Sequence, residues 1–256
     1  MNGGVTANLL TLESLLLLAA ITAAASFVKG VTTMGLNLIG VPVIAIFFDV
    51  QTAIVATSIP KFLSDIYMGL EARDGAESST PKGMAEFAIA GAVAVAGATF
   101  LLASLANRSL SFVLGAFVIA FVVLQLLPKP PVIPAHHRRA WGVPFGLLSG
   151  VSQGLTGAAG PTTAIYLYSV TTTTTSFVFL SSIVYVALGV MQLSAFVGFG
   201  LFSIERLMAS VLLVPPVFVG TWLGIKCRRR LSVRRFRQAL LVMLAATAAA
   251  LIAKGI

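Results

Sequence analysis

Charge is what this chain has least of. Only 10% of its 256 residues are Asp, Glu, Lys or Arg, and eight residues are acidic, against about 25% charged in soluble globular proteins. That is too little polar surface to cover a water-soluble body. The 58% of hydrophobic residues and a mean hydropathy of +1.00 point the same way, to a protein of the lipid bilayer. A single cysteine, Cys227, excludes an internal disulfide. The only two histidines, His136 and His137, are chain neighbours with no third ligand at metal spacing, so neither a metal site nor a cofactor is expected. No G-x-x-x-x-G-K-[ST] run is present, which excludes a P-loop ATPase. Disorder needs low hydrophobicity with high charge, the reverse of this composition. A membrane-embedded enzyme would need a nucleophile with its base, or a metal cluster, and neither pattern occurs. The expectation is that the chain is not an enzyme.

What is there is a series of apolar stretches. A spanning helix needs about 20 mostly apolar residues. The long stretches are 9–28, 52–70, 87–105, 110–127, 141–155, 175–200, 207–222 and 240–253, about eight long membrane helices in all. Two pieces, 41–48 and 161–168, are too short to cross. The stretch Leu15–Ala25 followed by Ser26 has the look of a signal-peptide core, but no Lys or Arg precedes it.

The net charge of +9 is gathered in loops rather than on a soluble basic face, so no nucleic-acid partner is expected. Loops 71–83, 128–140 and 225–237 hold twelve of the seventeen basic residues, and the positive-inside rule makes all three cytoplasmic. Arg228–Arg230 read as anchors to anionic lipid. For the second and third loops to share a side, 141–155 and 161–168 must form a pair that enters the membrane and returns.

The chain also repeats itself. Gly30-Val31 recurs as Gly150-Val151 and Gly40 as Gly160, at a separation of 120; Pro42, Ala45 and Ile46 recur one residue out of step as Pro161, Ala164 and Ile165. Each half has a helix, a glycine-rich break, a short helix started by proline, and three long helices. This predicts an all-α polytopic membrane protein of two inverted repeats, 1–127 and 141–256, joined by the 128–140 linker. Discontinuous helices at matching places mark the midplane site of many secondary transporters. A non-helical stretch survives in lipid only where protein or a cavity surrounds it, and a helix N-terminus favours anions. The candidate substrate-binding residues are therefore Lys29, Thr32, Thr33, Asn37 and Gly40 in the first half. In the second they are Gly150, Ser152, Gln153, Thr156, Gly157, Gly160, Thr162 and Thr163. The competing reading is that these glycines only let helices pack closely.

Ionisable residues inside spans are functional suspects. Lys29 opens the first break, and Lys61 and Asp65 share a helix face at i,i+4. At the same separation the second half has Ser149, Ser181 and Tyr185, so these charges belong to one repeat only. A lysine there complements an anionic substrate. Asp65 either carries a coupling proton or neutralises Lys61, and a purely structural ion pair with a snorkelling Lys29 is the alternative. Thr171–Thr175 reads as the turn after the second short helix, with Asp49 in the matching turn.

The run Gly146-Leu-Leu-Ser-Gly150-Val-Ser-Gln-Gly-Leu-Thr-Gly157-Ala-Ala-Gly160-Pro161 resembles the second-repeat signature of the sulfite exporter family TauE/SafE. Gly30 through Pro42, Val43–Phe47 and Gln51-Thr-Ala-Ile-Val-Ala-Thr-Ser58 resemble its first-repeat partner. Thr32, Thr33, Met34 and Asn37 stand where that family usually has adjacent glycines, and Lys61 also departs from it. The resemblance implies a cell inner-membrane transporter, usually an exporter, for small sulfur-containing anions such as sulfite, sulfoacetate or related sulfonates. An importer or channel for an unrelated small anion or carboxylate is the alternative. The partners expected are the anion, the bilayer and a proton as coupling ion; nothing in the pattern bears on oligomeric state.

Overall fold

The computed structural model describes residues 9–77, 81–126, 133–134 and 137–228. The proposed helix 240–253, His136 and the arginines beyond Arg228 lie outside the described residues. Among the described residues the fold is all-helical, with no strand. The first half comprises α1 (Leu12–Thr32), α2 (Leu36–Phe47), α3 (Val50–Ala72), α4 (Met84–Ser104) and α5 (Asn107–Leu126). The second comprises α6 (Arg138–Thr156), α7 (Gly160–Val170), α8 (Thr174–Gly198), α9 (Ile204–Leu212) and α10 (Val214–Cys227).

Five helices among the described residues are long and apolar enough to cross a membrane: α1, α4, α5, α8, and α9 with α10 taken as one run through Leu213. The expected count of about eight is therefore not reached by this measure. The 23-residue α3 and the 19-residue α6 are long enough, but they carry Lys61, Asp65 and Glu71, and Arg138, Arg139 and Gln153. Their polar residues are also the ones that matter below.

Local chemistry sets the helix ends. Thr11, Asp49, Thr173 and Ser203 each accept a hydrogen bond at their side-chain oxygen from the backbone N–H three residues on, capping α1, α3, α8 and α9. Asp49 and Thr173 stand 124 residues apart. So do Thr33 and Gly157, which close α1 and α6 in the left-handed conformation at φ 71° and 69°. Of the Thr171–Thr175 run, Thr171–Thr173 form the α7–α8 turn, while Thr174 and Thr175 already belong to α8.

α3 runs about 35 Å at 1.5 Å per residue and defines two ends of the molecule. At the Asp49 end, α2 closes and α4 gives way to α5: Asn107 Oδ1 accepts from Val50 N at 2.8 Å, and Arg206 of α9 donates to Gln51 and Thr52. At the opposite end lie Lys82, Gly83, Arg138 and Arg139. Burial pulls the Arg228 guanidinium there below its ordinary pKa, with the nearby Glu71 raising it in part.

Two hairpins enter from these two ends. Leu9 and Leu18 of the first strand of chain share a core cluster with Val41, Ile44 and Val50, so α2 returns to the end from which α1 set out. α7 likewise returns to the start of α6: the Tyr166 hydroxyl, 3.3 Å away, donates to the Lys82 and Arg138 carbonyls. Between the hairpins the helices pack reciprocally. α6 lies along α4, α1 along α10, and α3 along α8.

Small residues make those contacts close. Gly142, Gly146, Gly150 and Gly154 line the α6 face on α4, where an added Cβ would meet the backbone at Gly83, Phe87, Gly91 and Val95. Gly30 of α1 sits against Thr221 and Gly224 of α10 in the same manner. This is small-residue helix packing, and it corrects the expectation for Gly150 and Gly30: both lie inside helices, at helix–helix interfaces. Gly40 and Pro42 are likewise inside α2, whose first residue is Leu36. The first break is thus 33–35 and ends at Gly35, not at Pro42. The second break ends where expected, with Pro161 in the first turn of α7, where its missing N–H costs nothing.

Candidate functional site

The two breaks meet. A cavity of about 310 Å³, part of it open space, is lined by 33–38 from the first break, 157–160 from the second, Lys29 of α1, Lys61 and Asp65 of α3, and Tyr185 of α8.

Close approach holds the tips together. A Cβ on Gly35 would lie 2.6 Å from Lys29 N and 3.0 Å from Ala25 O, so only glycine lets the chain fold back against α1. Asn37 Nδ2 donates to Gly157 O at 2.9 Å, tying one tip to the other. Because a carbonyl only accepts, this bond fixes the amide's orientation. Asn37 Oδ1 is then a buried acceptor without a hydrogen-bond partner, as is Thr33 Oγ1. Thr33 is the only non-glycine residue with positive φ among the described residues. A β-branched side chain is unusual there.

The charges form one cluster rather than a pair and a spectator. Lys29 Nζ lies 2.6 Å from Asp65 Oδ1, and Lys61 Nζ lies 2.9 Å from Asp65 Oδ2. Lys29 also donates to Ser64 Oγ at 2.5 Å and to the Lys61 carbonyl at 3.2 Å. All three side chains are buried, Asp65 at 1% exposure. The Tyr185 ring lies 5.3 Å from Lys61 Nζ, a cation–π contact on the cavity wall. Two lysines share one carboxylate, so the cluster keeps one unneutralised positive charge.

Of the residues singled out from the sequence, the structure brings Lys29, Thr33, Asn37, Gly157, Gly160, Lys61 and Asp65 to the cavity. The others stand around it. Thr32 Oγ1 donates to the Val28 carbonyl at 3.0 Å and to the Met34 carbonyl, and Ser152 Oγ donates back to Leu148 O. Gln153 exchanges hydrogen bonds with Gln192 and accepts from Ala159 N, so it holds the second tip from behind. Thr156 supports Ala158 N, while Thr162 and Thr163 bond Ser149. Gly40 faces Ala25. Sequence reasoning missed Tyr185, Ser64 and Met34 as parts of the site. Tyr185 stands 124 residues after Lys61, and Gln153 stands 124 after Lys29, the spacing shared by the helix caps. That register would have pointed to Tyr185.

Among the described residues no group of His, Cys, Asp or Glu could hold a metal. No curated protein and no solved structure matches the chain. A family model does, over residues 17–251, under the description sulfite exporter TauE/SafE. With that match spanning nearly the whole chain, including both broken hairpins and the charged cavity between them, the chain belongs to the sulfite exporter TauE/SafE family of membrane transporters.

Proposed function

We propose that this protein is a secondary transporter that carries sulfite, sulfoacetate or a related sulfonate across the cell inner membrane, in the export direction, by alternating access around the cavity between α1–α2 and α6–α7. The observation that carries this reading is the two-to-one ratio of Lys29 and Lys61 to Asp65. A buried charge without a partner costs several kcal/mol, and inside a membrane such groups mark substrate paths. A small anion is the complement the cluster lacks. The first-turn N–H groups of α2 and α7, which have no partner within their own helices, add donors of the right polarity.

The halves support the transport mechanism. The first three elements of each half follow the same order at a spacing of 124 residues, and their hairpins set out from opposite ends. Two inverted repeats related by rocking around a fixed midplane site account for both features. Arg73, Lys82, Arg138, Arg139, Lys226 and Arg228 gather at the end opposite Asp49, which supports a cytoplasmic placement of that end. Asp65 has both oxygens engaged by lysines, the geometry of a fixed counter-charge rather than of a travelling proton carrier.

The test is uptake of labelled sulfite and sulfoacetate into liposomes holding the purified protein. Saturable uptake of at least one is expected. Absence of uptake for every sulfur oxyanion tried, with uptake of a carboxylate or an unrelated anion, overturns the substrate assignment.

A further inference from the structure

We propose that the site selects an anion that carries an O–H group and a single negative charge, hydrogen sulfite among the sulfur oxyanions, over the fully deprotonated dianion. This rests on the anion-site reading above and narrows it. The observation behind it is Asn37 Oδ1. The residue is 4% exposed and lines the cavity, and its Nδ2 is committed to Gly157 O at 2.9 Å. The oxygen of this cavity-lining residue is therefore an obligate acceptor, buried and without a partner.

Apart from Asp65, whose two oxygens are held by the lysines, the polar groups at the site suit any anion: two ammonium groups, the Thr33 hydroxyl and the helix N-termini can all donate. An acceptor among them is a liability for a ligand that offers only lone pairs. Oxygen would face oxygen, and the amide would stay unsatisfied on binding, a cost a buried acceptor carries in full. A ligand hydroxyl removes that cost by donating to Oδ1. Sites built to hydrogen-bond a substrate hydroxyl reject analogues lacking it far more strongly than apolar pockets reject a missing methylene. The charge count agrees, because Lys29, Lys61 and Asp65 together leave one positive charge for the ligand to match.

Sulfite suits the test because its second proton leaves near neutral pH, whereas methanesulfonate is a monoanion throughout and has no O–H. The full-length protein is titrated calorimetrically with each between about pH 6 and about pH 9. Methanesulfonate reports any change in the site's own titratable groups, which are Lys29 on α1, Lys61 and Asp65 on α3, and Tyr185 on α8. The expected result is a sulfite affinity that falls, relative to that of methanesulfonate, about tenfold per pH unit once hydrogen sulfite is the minor species, with methanesulfonate at least about tenfold weaker than hydrogen sulfite.

A sulfite affinity that stays flat, or methanesulfonate binding as tightly as hydrogen sulfite, overturns the selectivity while leaving the anion site standing. If neither ligand binds at any pH, the anion-site reading falls and this inference falls with it. In Asn37→Ala the gap between the two ligands should shrink to about twofold; an unchanged gap in a folded variant overturns the role of Asn37. Should that variant fail to fold, the wild-type titration decides alone.

Discussion

At the scale of single residues, the proposed anion cavity offers substitutions that distinguish binding from folding. Removing Lys29 leaves Asp65 paired with Lys61, so no carboxylate is stranded. Lys29→Ala is expected to weaken anion binding roughly ten- to hundredfold, since a hydrogen bond to a charged group is worth about 1.5–3 kcal/mol. Its melting temperature should stay near that of the wild type, and calorimetry with a thermal melt on the same sample checks both. Removing Asp65 does the opposite and leaves two buried lysines facing each other. Asp65→Asn is expected to cost about 3–5 kcal/mol of stability and to abolish counterflow exchange as well as pH-driven uptake. Exchange that survives while pH-driven uptake is lost would identify Asp65 as a proton carrier instead.

Thr33 makes the same point about function and strain. The equivalent position in the second half is Gly157, which adopts its left-handed conformation freely, whereas a non-glycine residue in that region costs about 1–2 kcal/mol. Its hydroxyl lines the cavity without a partner. Thr33→Gly should therefore raise the melting temperature while lowering anion affinity. A variant that is both less stable and unchanged in binding would show that the hydroxyl has no ligand role.

At the scale of elements, the glycines carry two jobs that sequence does not distinguish. Gly150 and Gly157 stand seven residues apart in one motif, yet the first closes the α4–α6 interface and the second ends α6. A run of glycines marks where a chain can bend or where it is touched, and only the neighbouring helix decides. Gly146 is one case of touching: a Cβ there would lie 2.9 Å from Phe87 Cα as well as clashing with the Phe87 carbonyl. Gly146→Ala is expected to destabilise the protein by about 1–3 kcal/mol, the range for overpacked interfaces. The measurement is the melting temperature in detergent, with Gly97→Ala, where nothing lies within 4 Å, as the control.

Proline misleads for a related reason. Pro42 sits inside α2 and Pro60 inside α3, where membrane helices tolerate it because neighbours re-satisfy the freed backbone groups. Pro161 does mark a helix start, as does Pro215 at the start of α10. The apolar runs themselves were legible: α1, α4, α5 and α8 lie within a few residues of the stretches read from hydropathy. The breaks were located by composition but drawn too wide, because Gly30 and Gly40 belong to helices.

At the scale of the whole molecule, long-range geometry lay beyond reach of the sequence. The i,i+4 spacing of Lys61 and Asp65 was readable, whereas Lys29 reaches the same carboxylate from another helix, 36 residues away. Matching identical residues set the repeat at 120, while the structural equivalents stand at 124, because identity follows packing glycines and equivalence follows helix caps. With the wrong register, Tyr185 falls opposite Asp65 instead of Lys61, and a wall of the cavity goes unnoticed.

In the proposed alternating-access cycle the shared carboxylate also governs how the protein resets. Once its cargo leaves, the reorienting protein would move with an unscreened cation at its centre, whereas the loaded form would travel neutral. The return journey should therefore be the slow half of the cycle unless another anion boards from the far side. Efflux from preloaded liposomes is accordingly expected to quicken several-fold when unlabelled sulfite is added outside, and a rate indifferent to that addition would mean that the vacant form crosses as readily as the occupied one.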